Sequence, residues 1–442
     1  MTKVAVNPEK IEIDFTDEAI TPSAGSLFLS RMAKVLGLQE ALQRGLRLKR
    51  RDRGATDSEM MLSLVYNLAQ GDGALVDVDR LRADDPRQKL LGLSEVPGSR
   101  RLGEYLVRFD DEAVEKLLGI SRLQGEKVAS TVIQAEVRER GYVPIFPDGS
   151  EIEVDGEYFE NAGFGYTKNL QYWLHSVFVG SLWASQRLQP GGVGVTHGWK
   201  EQFDREVSPL LPGGTPVWVR GDNAYYFKEF VEYCQDHSWG YSISVTSDTF
   251  KKPLKDILSS EDPEWTWITD DQTEEATLIY HQPGRWKKEQ AYVAIRSYWD
   301  GKQKLLHPRL MFILVSRDDL PLKELVHRHR EKQGQENLQK GPLVDLDLHH
   351  PPCLSFQANR AFYTAAQIAH NLLIAIQHLL LPQEARTHRI RTVIRDLIRV
   401  AGRLVRHGRR WILRLAKTSL RLDWLNHAAD RLDTFLTAPA ST

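Results

Sequence analysis

Residues 219–226 read VRGDNAYY, a short apolar run that ends on an acid. Val217 and Val219 alternate with Trp218 and Arg220, Gly221 interrupts the run, and Asp222 follows with Asn223 beside it. Alternation of this kind is the period of a β-strand. A carboxylate where a buried strand emerges is either a turn or helix-cap residue or a functional group held at a rigid position. The pattern recurs upstream, where YVPIF at 142–146 runs into PDGS and sets Asp148 just after a second strand.

Outward from these two strands the period of the chain changes twice. Residues 25–140 place apolar residues at three- and four-residue intervals, as in DEAVEKLLGISRLQGEKVASTVIQAEVRER, and read as helices. From about 141 the runs YWLHSVFVGSLWA, PVWVR, YSISVTS, QAYVAIRSYW and LMFILVS are short, aromatic and β-branched, bounded by Gly, Pro, Asp and Asn. Between 248 and 310 a Trp-rich stretch with Trp265, Trp267 and Trp286 looks like an insertion into a sheet domain. Helices return with SFQANRAFYTAAQIAHNLLIAIQHLLL, and RLVRHGRRWILRL alternates around His-Gly like a hairpin.

The bulk numbers are those of an ordinary globular chain: 442 residues, 41% hydrophobic and 26% charged. Cys234 and Cys353 lie far apart with no metal-ligand spacing, which suits a reducing compartment. The N-terminus MTKVAVNPEKIEIDF has no apolar signal core. The longest apolar stretch, NLLIAIQHLLL at 371–381, is too short to span a bilayer and carries Gln377 and His378. A cytoplasmic protein is expected.

A formal net charge of −1 conceals an uneven distribution. From Arg386 to Arg421 there are twelve Lys or Arg and one acid, Asp396. Apolar residues keep their period through this stretch, so it reads as a folded surface for a polyanion, with a solvated face as the alternative. Arg395, Arg399, Arg403, Arg406, Arg409 and Arg410 are its candidate DNA contacts. In VPGSRRLGEYLVRF a turn leads into a helix that begins with Arg100 and Arg101. That is either a helix-turn-helix entry, with the pair near phosphates, or an ordinary bundle with a basic turn.

A third acid lies in VHRHREKQGQENLQK, which reads as a helix. Leu325, His329, Lys332, Glu336 and Leu343 fall at spacings of 4, 3, 4 and 7 and form one stripe. The stripe is either a surface ion-pair ladder or an acid flanked by cations, suited to holding both Mg²⁺ and phosphate. Mg²⁺ takes oxygen ligands in octahedral geometry and keeps several waters, so carboxylates from separate elements suit it. Two such ions, roughly 4 Å apart, activate an attacking oxygen and stabilise the leaving oxygen of a phosphodiester.

These residues carry a resemblance. The chain resembles DDE transposases of bacterial insertion sequences, in particular the insertion-sequence family thirteen-eighty. VRGDNAYY resembles the second-Asp motif and REKQGQEN the Glu motif. GALVDVDRLRADDPRQKLLG, VPGSRRLGEYLVRF, GYTKNLQYWLHSVFVG, HHPPCLSFQANRAFYTAAQIAHNLL and GRLVRHGRRWILRL resemble other parts in order. The resemblance implies an α+β or α/β fold: an RNase H-like catalytic core with a β-rich insertion, flanked by a helical N-terminal DNA-binding domain and a mostly helical basic C-terminal region. The corresponding segments are 1–140, 141–247, 248–310, 311–380 and 381–442, the last for DNA binding and dimerisation.

It further implies that Asp148, Asp222 and Glu336 are catalytic metal ligands for two Mg²⁺ ions, with Mn²⁺ able to substitute. The substrate would be double-stranded DNA, namely terminal inverted repeats and target, held by a homodimer in the nucleoid. Cleavage and strand transfer would achieve cut-and-paste transposition, through a hairpin in relatives with this insertion. The family's Glu helix usually carries Tyr, Arg, Glu and Lys, where this chain has His329, Lys332, Glu336 and Leu343. Lys340, one turn past Glu336, stands in for the distal Lys in positioning phosphate, and Lys332 lacks the bidentate grip of Arg. Pro147 precedes Asp148 where relatives often have an acid. The competing readings are a cleavage-inactive repressor or architectural protein of transposase descent and a general metal-dependent nuclease.

Overall fold

The computed structural model describes residues 8–49, 51, 53–165, 168–284, 286–299, 301, 303–331 and 341–437. Its thirteen strands among these residues are β1 (Ile20–Thr21), β2 (Val143–Glu153), β3 (Gly163–Phe164), β4 (Leu170–Val179), β5 (Leu182–Gln189), β6 (Val217–Gly221), β7 (Gly240–Val245), β8 (Thr266–Trp267), β9 (Glu274–His281), β10 (Gln290–Trp299), β11 (Lys304–Val315), β12 (Gly402–His407) and β13 (Arg410–Leu415). Ten of them form one mixed sheet in the order β3-β4-β2-β6-β7-β11-β10-β9-β8, with β5 also paired to β4.

Three antiparallel strands (β2, β4, β5) and two more running parallel to the first (β6, β7) make the order β5-β4-β2-β6-β7. That mixed α/β sheet fits an RNase H-like core. The run YWLHSVFVGSLWA is a hairpin, β4 and β5, that turns at Gly180 with φ +56. The expected insertion is β-rich as read, but it does not stand apart. Its strands extend the same sheet, because β11 pairs antiparallel with β7 from Phe312↔Val245 to Val315↔Ser242. β11 starts at Lys304, ahead of the apolar run LMFILV, because pairing with β10 carries residues 304–309 into the strand.

On β6, β10 and β11 the buried side chains divide by face. One cluster takes in Val217, Val219, Tyr241 and Ile243, and it runs without interruption from Ala24 to Leu432. The 24-residue helix Phe356–Leu379 lies in it, buried on nearly all sides, as a helix apolar around its circumference must be. Beside that helix packs the 30-residue helix Asp111–Arg140, capped by Asp110, whose side chain accepts from Ala113 N at 2.9 Å. The smaller cluster holds Tyr142, Trp218, Ile313, Leu325 and Val326 and covers the opposite face, where the helix Leu322–Arg330 docks. Among the described residues no helix is long and apolar enough to cross a membrane.

The C-terminal stretch folds as read. β12 and β13 form an antiparallel ribbon around His407-Gly408-Arg409-Arg410. Gly408 has φ +60 while Arg409 keeps a negative φ, which matches a II′ hairpin turn with Gly first.

Candidate active site

β2 and β6 are adjacent and parallel, paired at Val143↔Val217, Pro144↔Trp218 and Ile145↔Val219. The offset 217 − 143 is 74, and 222 − 148 is also 74. Carrying the register forward three residues sets Asp148 opposite Asp222, at least about one strand spacing (~4.8 Å) away. Ladder hydrogen bonding between the two strands stops at Ile145–Val219, so the acids stand where the sheet opens.

The alternation of β6 also fixes the face. Trp218 belongs to the cluster under helix Leu322–Arg330, and the Arg220 guanidinium donates to the His329 carbonyl at 2.5 Å. Asp222, two residues on with extended backbone (φ −81, ψ −171), continues toward that face. Asp148 shares it by register, since residues paired across β2 and β6 point to the same face and the offset of 74 matches it to Asp222.

Asp148 does not follow its strand, as the sequence suggested, but sits within it. β2 continues to Glu153 because β4 pairs with it to the end, Asp148 lying across from Ser176. Pro147 is tolerated because it falls past the end of the β6 pairing. Asp222 is a cap as well as a strand-end acid, since its side chain accepts from Ala224 N at 2.9 Å. Asn223 Oδ1 accepts from Thr246 N at 2.9 Å and ties this turn to the end of β7. Both acids adjoin glycines in tight quarters. A Cβ on Gly221 would meet Tyr225 Cβ at 2.9 Å, and one on Gly149 would meet Val195 at 2.0 Å.

On the opposite face lies a network with no spacing signature in the sequence. Tyr225, from the turn after Asp222, contacts His175 Nε2, and His175 Nδ1 contacts Gln202 Oε1. Gln202 Nε2 donates to the His175 carbonyl at 3.2 Å, which turns Oε1 toward the ring. Nδ1 must then carry the proton, and Nε2 accepts from the Tyr225 hydroxyl. Burial holds the His175 pKa down to about 4, so the ring is neutral at pH 7. Burial first, and then the charges of Asp148 and Asp222, keep the Tyr225 phenol far from ionising. The sheet under the acids is thus a buried, uncharged floor.

The helix Leu322–Arg330 brings the chain to this face and is anchored there. His329 is buried and its Nε2 lies 3.0 Å from Ser244 Oγ of β7. Glu331, at the helix end, is engaged by Arg140 and by the Tyr142 hydroxyl at 3.0 Å. Lys332, Glu336 and Lys340 lie outside the described residues. Among those described, no group of three or more His, Cys, Asp or Glu is placed to hold a metal ion. The two acids are hard oxygen donors at rigid positions, and that donor set fits a hard divalent cation. A cavity of about 520 Å³, lined by Phe146, Glu331 and His370, adjoins the same face but includes neither acid.

The candidate DNA contacts fall into different settings. Arg100 is paired with Glu104 (2.9 Å) and Arg101 with Glu95 (3.4 Å), both on the surface. Ser99 between turn and helix is bonded to Asp79 through N (3.1 Å) and Oγ (2.6 Å). Arg395 is held by Asp396 (2.6 Å), Arg399 by Asp72 and Arg403 by Glu18 (2.8 Å). Arg406 lies over Trp411, 5.8 Å from the ring centre, and Arg409 and Arg410 are exposed in the ribbon. The structure adds a cluster the sequence reading passed over: Lys49, Arg51, Arg53, Arg101 and Arg108 line one cleft of about 760 Å³. The run RLKRRDR at 47–53 was its compositional signal.

A family model described as transposase DDE domain, group 1, matches residues 3–436 of the chain. No curated protein matches it.

Proposed function

The chain belongs to the transposase DDE domain family, group 1, and on that premise we propose that it is the transposase of an insertion sequence resembling family thirteen-eighty. It binds the terminal inverted repeats of its element as a homodimer, cleaves the strands at each end and transfers the freed ends to target DNA. Members of the family in general use divalent metal ions. The observation that supports this reading is the shared offset of 74: the register of the parallel strands β2 and β6, carried three residues past its last pair, matches Asp148 to Asp222.

Asp148 and Asp222, with Glu336 from the segment after helix Leu322–Arg330, would hold Mg²⁺, with Mn²⁺ as substitute. Two bound ions would supply activation of the attacking oxygen and stabilisation of the leaving 3′ oxygen. The protein's own part is placement. β2 and β6 fix the two acids, and the Asn223 bond to β7 and the Tyr225–His175–Gln202 floor hold the turn beneath them. His329 and Arg220 anchor the helix, and Lys332 and Lys340, four residues to either side of Glu336 in the sequence, would position phosphate.

Asp148→Asn, Asp222→Asn and Glu336→Gln should each abolish cleavage in Mg²⁺ or Mn²⁺ and leave binding to element ends intact, since an amide lacks the anionic oxygen. Glu331→Gln should still cut, because its carboxylate is occupied by Arg140 and Tyr142. Wild-type rates in any of the three variants would remove that residue from the site. Binding without cleavage by the wild-type chain would favour the inactive DNA-binding reading.

A further inference from the structure

The ribbon β12–β13 has two unlike faces. Leu404, Leu413 and Leu415 turn inward onto the main cluster, with Leu404 only 7% exposed. The alternate residues turn outward in directly opposed pairs: Arg403↔Arg414, Val405↔Ile412 and His407↔Arg410. β1, paired at Ile20↔Arg403 and Thr21↔Gly402, and Ala19 before it cover the outer edge of β12 as far as Leu404, and the ribbon projects beyond.

Like charges directly opposite on a strand pair are destabilising, and a two-stranded ribbon is marginal by itself. Arg403 has Glu18, but Arg409, Arg410 and Arg414 have no carboxylate partner among the described residues. Folding therefore gains nothing from the charges of these three arginines on this face. Its apolar members are also displayed, with Ile412 40% exposed.

We propose that the outward face of this ribbon enters the major groove of duplex DNA, with Arg410 and Arg414 at base edges and Arg409 on the phosphate backbone. The inference rests on duplex DNA being the substrate. The dimensions agree: a two-stranded ribbon fits the ~12 Å groove, and β-ribbons are known readers there. Strand rise, ~3.4 Å per residue, equals the base-pair rise, so outward residues two apart meet every second pair. Arg presents two donors to guanine O6 and N7, and Ile412 or Val405 can meet a thymine methyl.

The test uses full-length protein and a duplex selected by the wild-type chain from a random pool. Methylation of guanine N7 should block wild-type binding at two or three positions. In Arg410→Ala/Arg414→Ala those positions should become insensitive and affinity should fall at least tenfold, with thermal unfolding unchanged. Arg410→Lys/Arg414→Lys, which keeps the charge, should bind selected and random duplexes alike. Interference at adenine N3 alone, an undiminished N7 pattern in the Ala variant, or equal loss on selected and random DNA would overturn groove entry. Wild-type protein that binds no duplex would instead bring down the functional reading itself.

Discussion

The arginine-rich stretch looks uniform in the sequence, yet its two halves do opposite things in the fold. Of the five arginines from Arg389 to Arg403, four have guanidinium groups clamped by carboxylates: Arg389, Arg399 and Arg403 by Asp345, Asp72 and Glu18 from remote parts of the chain, and Arg395 by neighbouring Asp396, while Arg391 is exposed. From Arg406 to Arg414 the guanidinium groups are displayed on a ribbon. A run of like charge is thus no measure of the field a surface presents. Where acids have been brought to meet it the charge is structural, and where none has the charge is left for a partner.

The sharpest way to break that contrast is to remove a clamp. Asp345 has a fully buried side chain held by Arg389, so Arg389→Ala leaves a buried carboxylate with no countercharge, held by the Arg391 N–H, and should cost about 3 kcal/mol of unfolding free energy. A urea midpoint equal to wild type would mean the clamp is not structural.

Acid should next loosen the buried helix Phe356–Leu379, which packs beside the clamped half. Burial, and then the charge of Arg386, lower the His378 pKa to about 4, and burial lowers that of His370 to about 4. The unfolded chain binds these protons near pH 6.5 and the folded chain does not. The stabilisation is therefore complete above pH 6.5 and is lost as pH falls toward 4, at about 1.4 kcal/mol per pH unit for each ring. His378→Gln should flatten the fall in unfolding midpoint between pH 6.5 and 4.5, and an unaltered slope would contradict the assignment.

Arg399→Ala should cost less, about 1 kcal/mol, because Arg87 remains near Asp72 and the Arg399 side chain is 45% exposed. Weaker binding to DNA without loss of stability would move Arg399 to the displayed half. The smallest expected change is in the stability of Arg409→Ala, within about 0.5 kcal/mol. Its phosphate contact should appear only as a salt slope of binding shallower by roughly 0.9, and an unchanged slope would leave the residue solvated.

Much of this was legible where a local rule governs. Alternation marked β2, β4, β6 and β7, and His-Gly marked the ribbon's turn. Asp222 could be placed because Gly221 ends an evident strand, whereas Asp148 was set one element too late, since β4, remote in sequence, extends β2 past it. The partners of Arg389, Arg399 and Arg403 lie 44, 327 and 385 residues away, beyond any spacing rule. Nor does a spacing connect His175, Gln202 and Tyr225, which meet only once β4, the helix Trp199–Gln202 and the turn after β6 are packed. The continuity of the insertion with the core sheet was hidden for the same reason, as pairing of β7 with β11 depends on tertiary context.

The most direct test of the paired acids replaces Mg²⁺ with Fe²⁺ and adds ascorbate and peroxide, so that hydroxyl radicals cut the polypeptide wherever the metal sits. Fragment masses should place cuts at both 148 and 222 in the wild-type chain, and Asp222→Asn should suppress the cut at 148 as well as its own. Cuts at only one of these positions, or a cut at 148 that survives Asp222→Asn at full strength, would show that the two carboxylates do not share a metal.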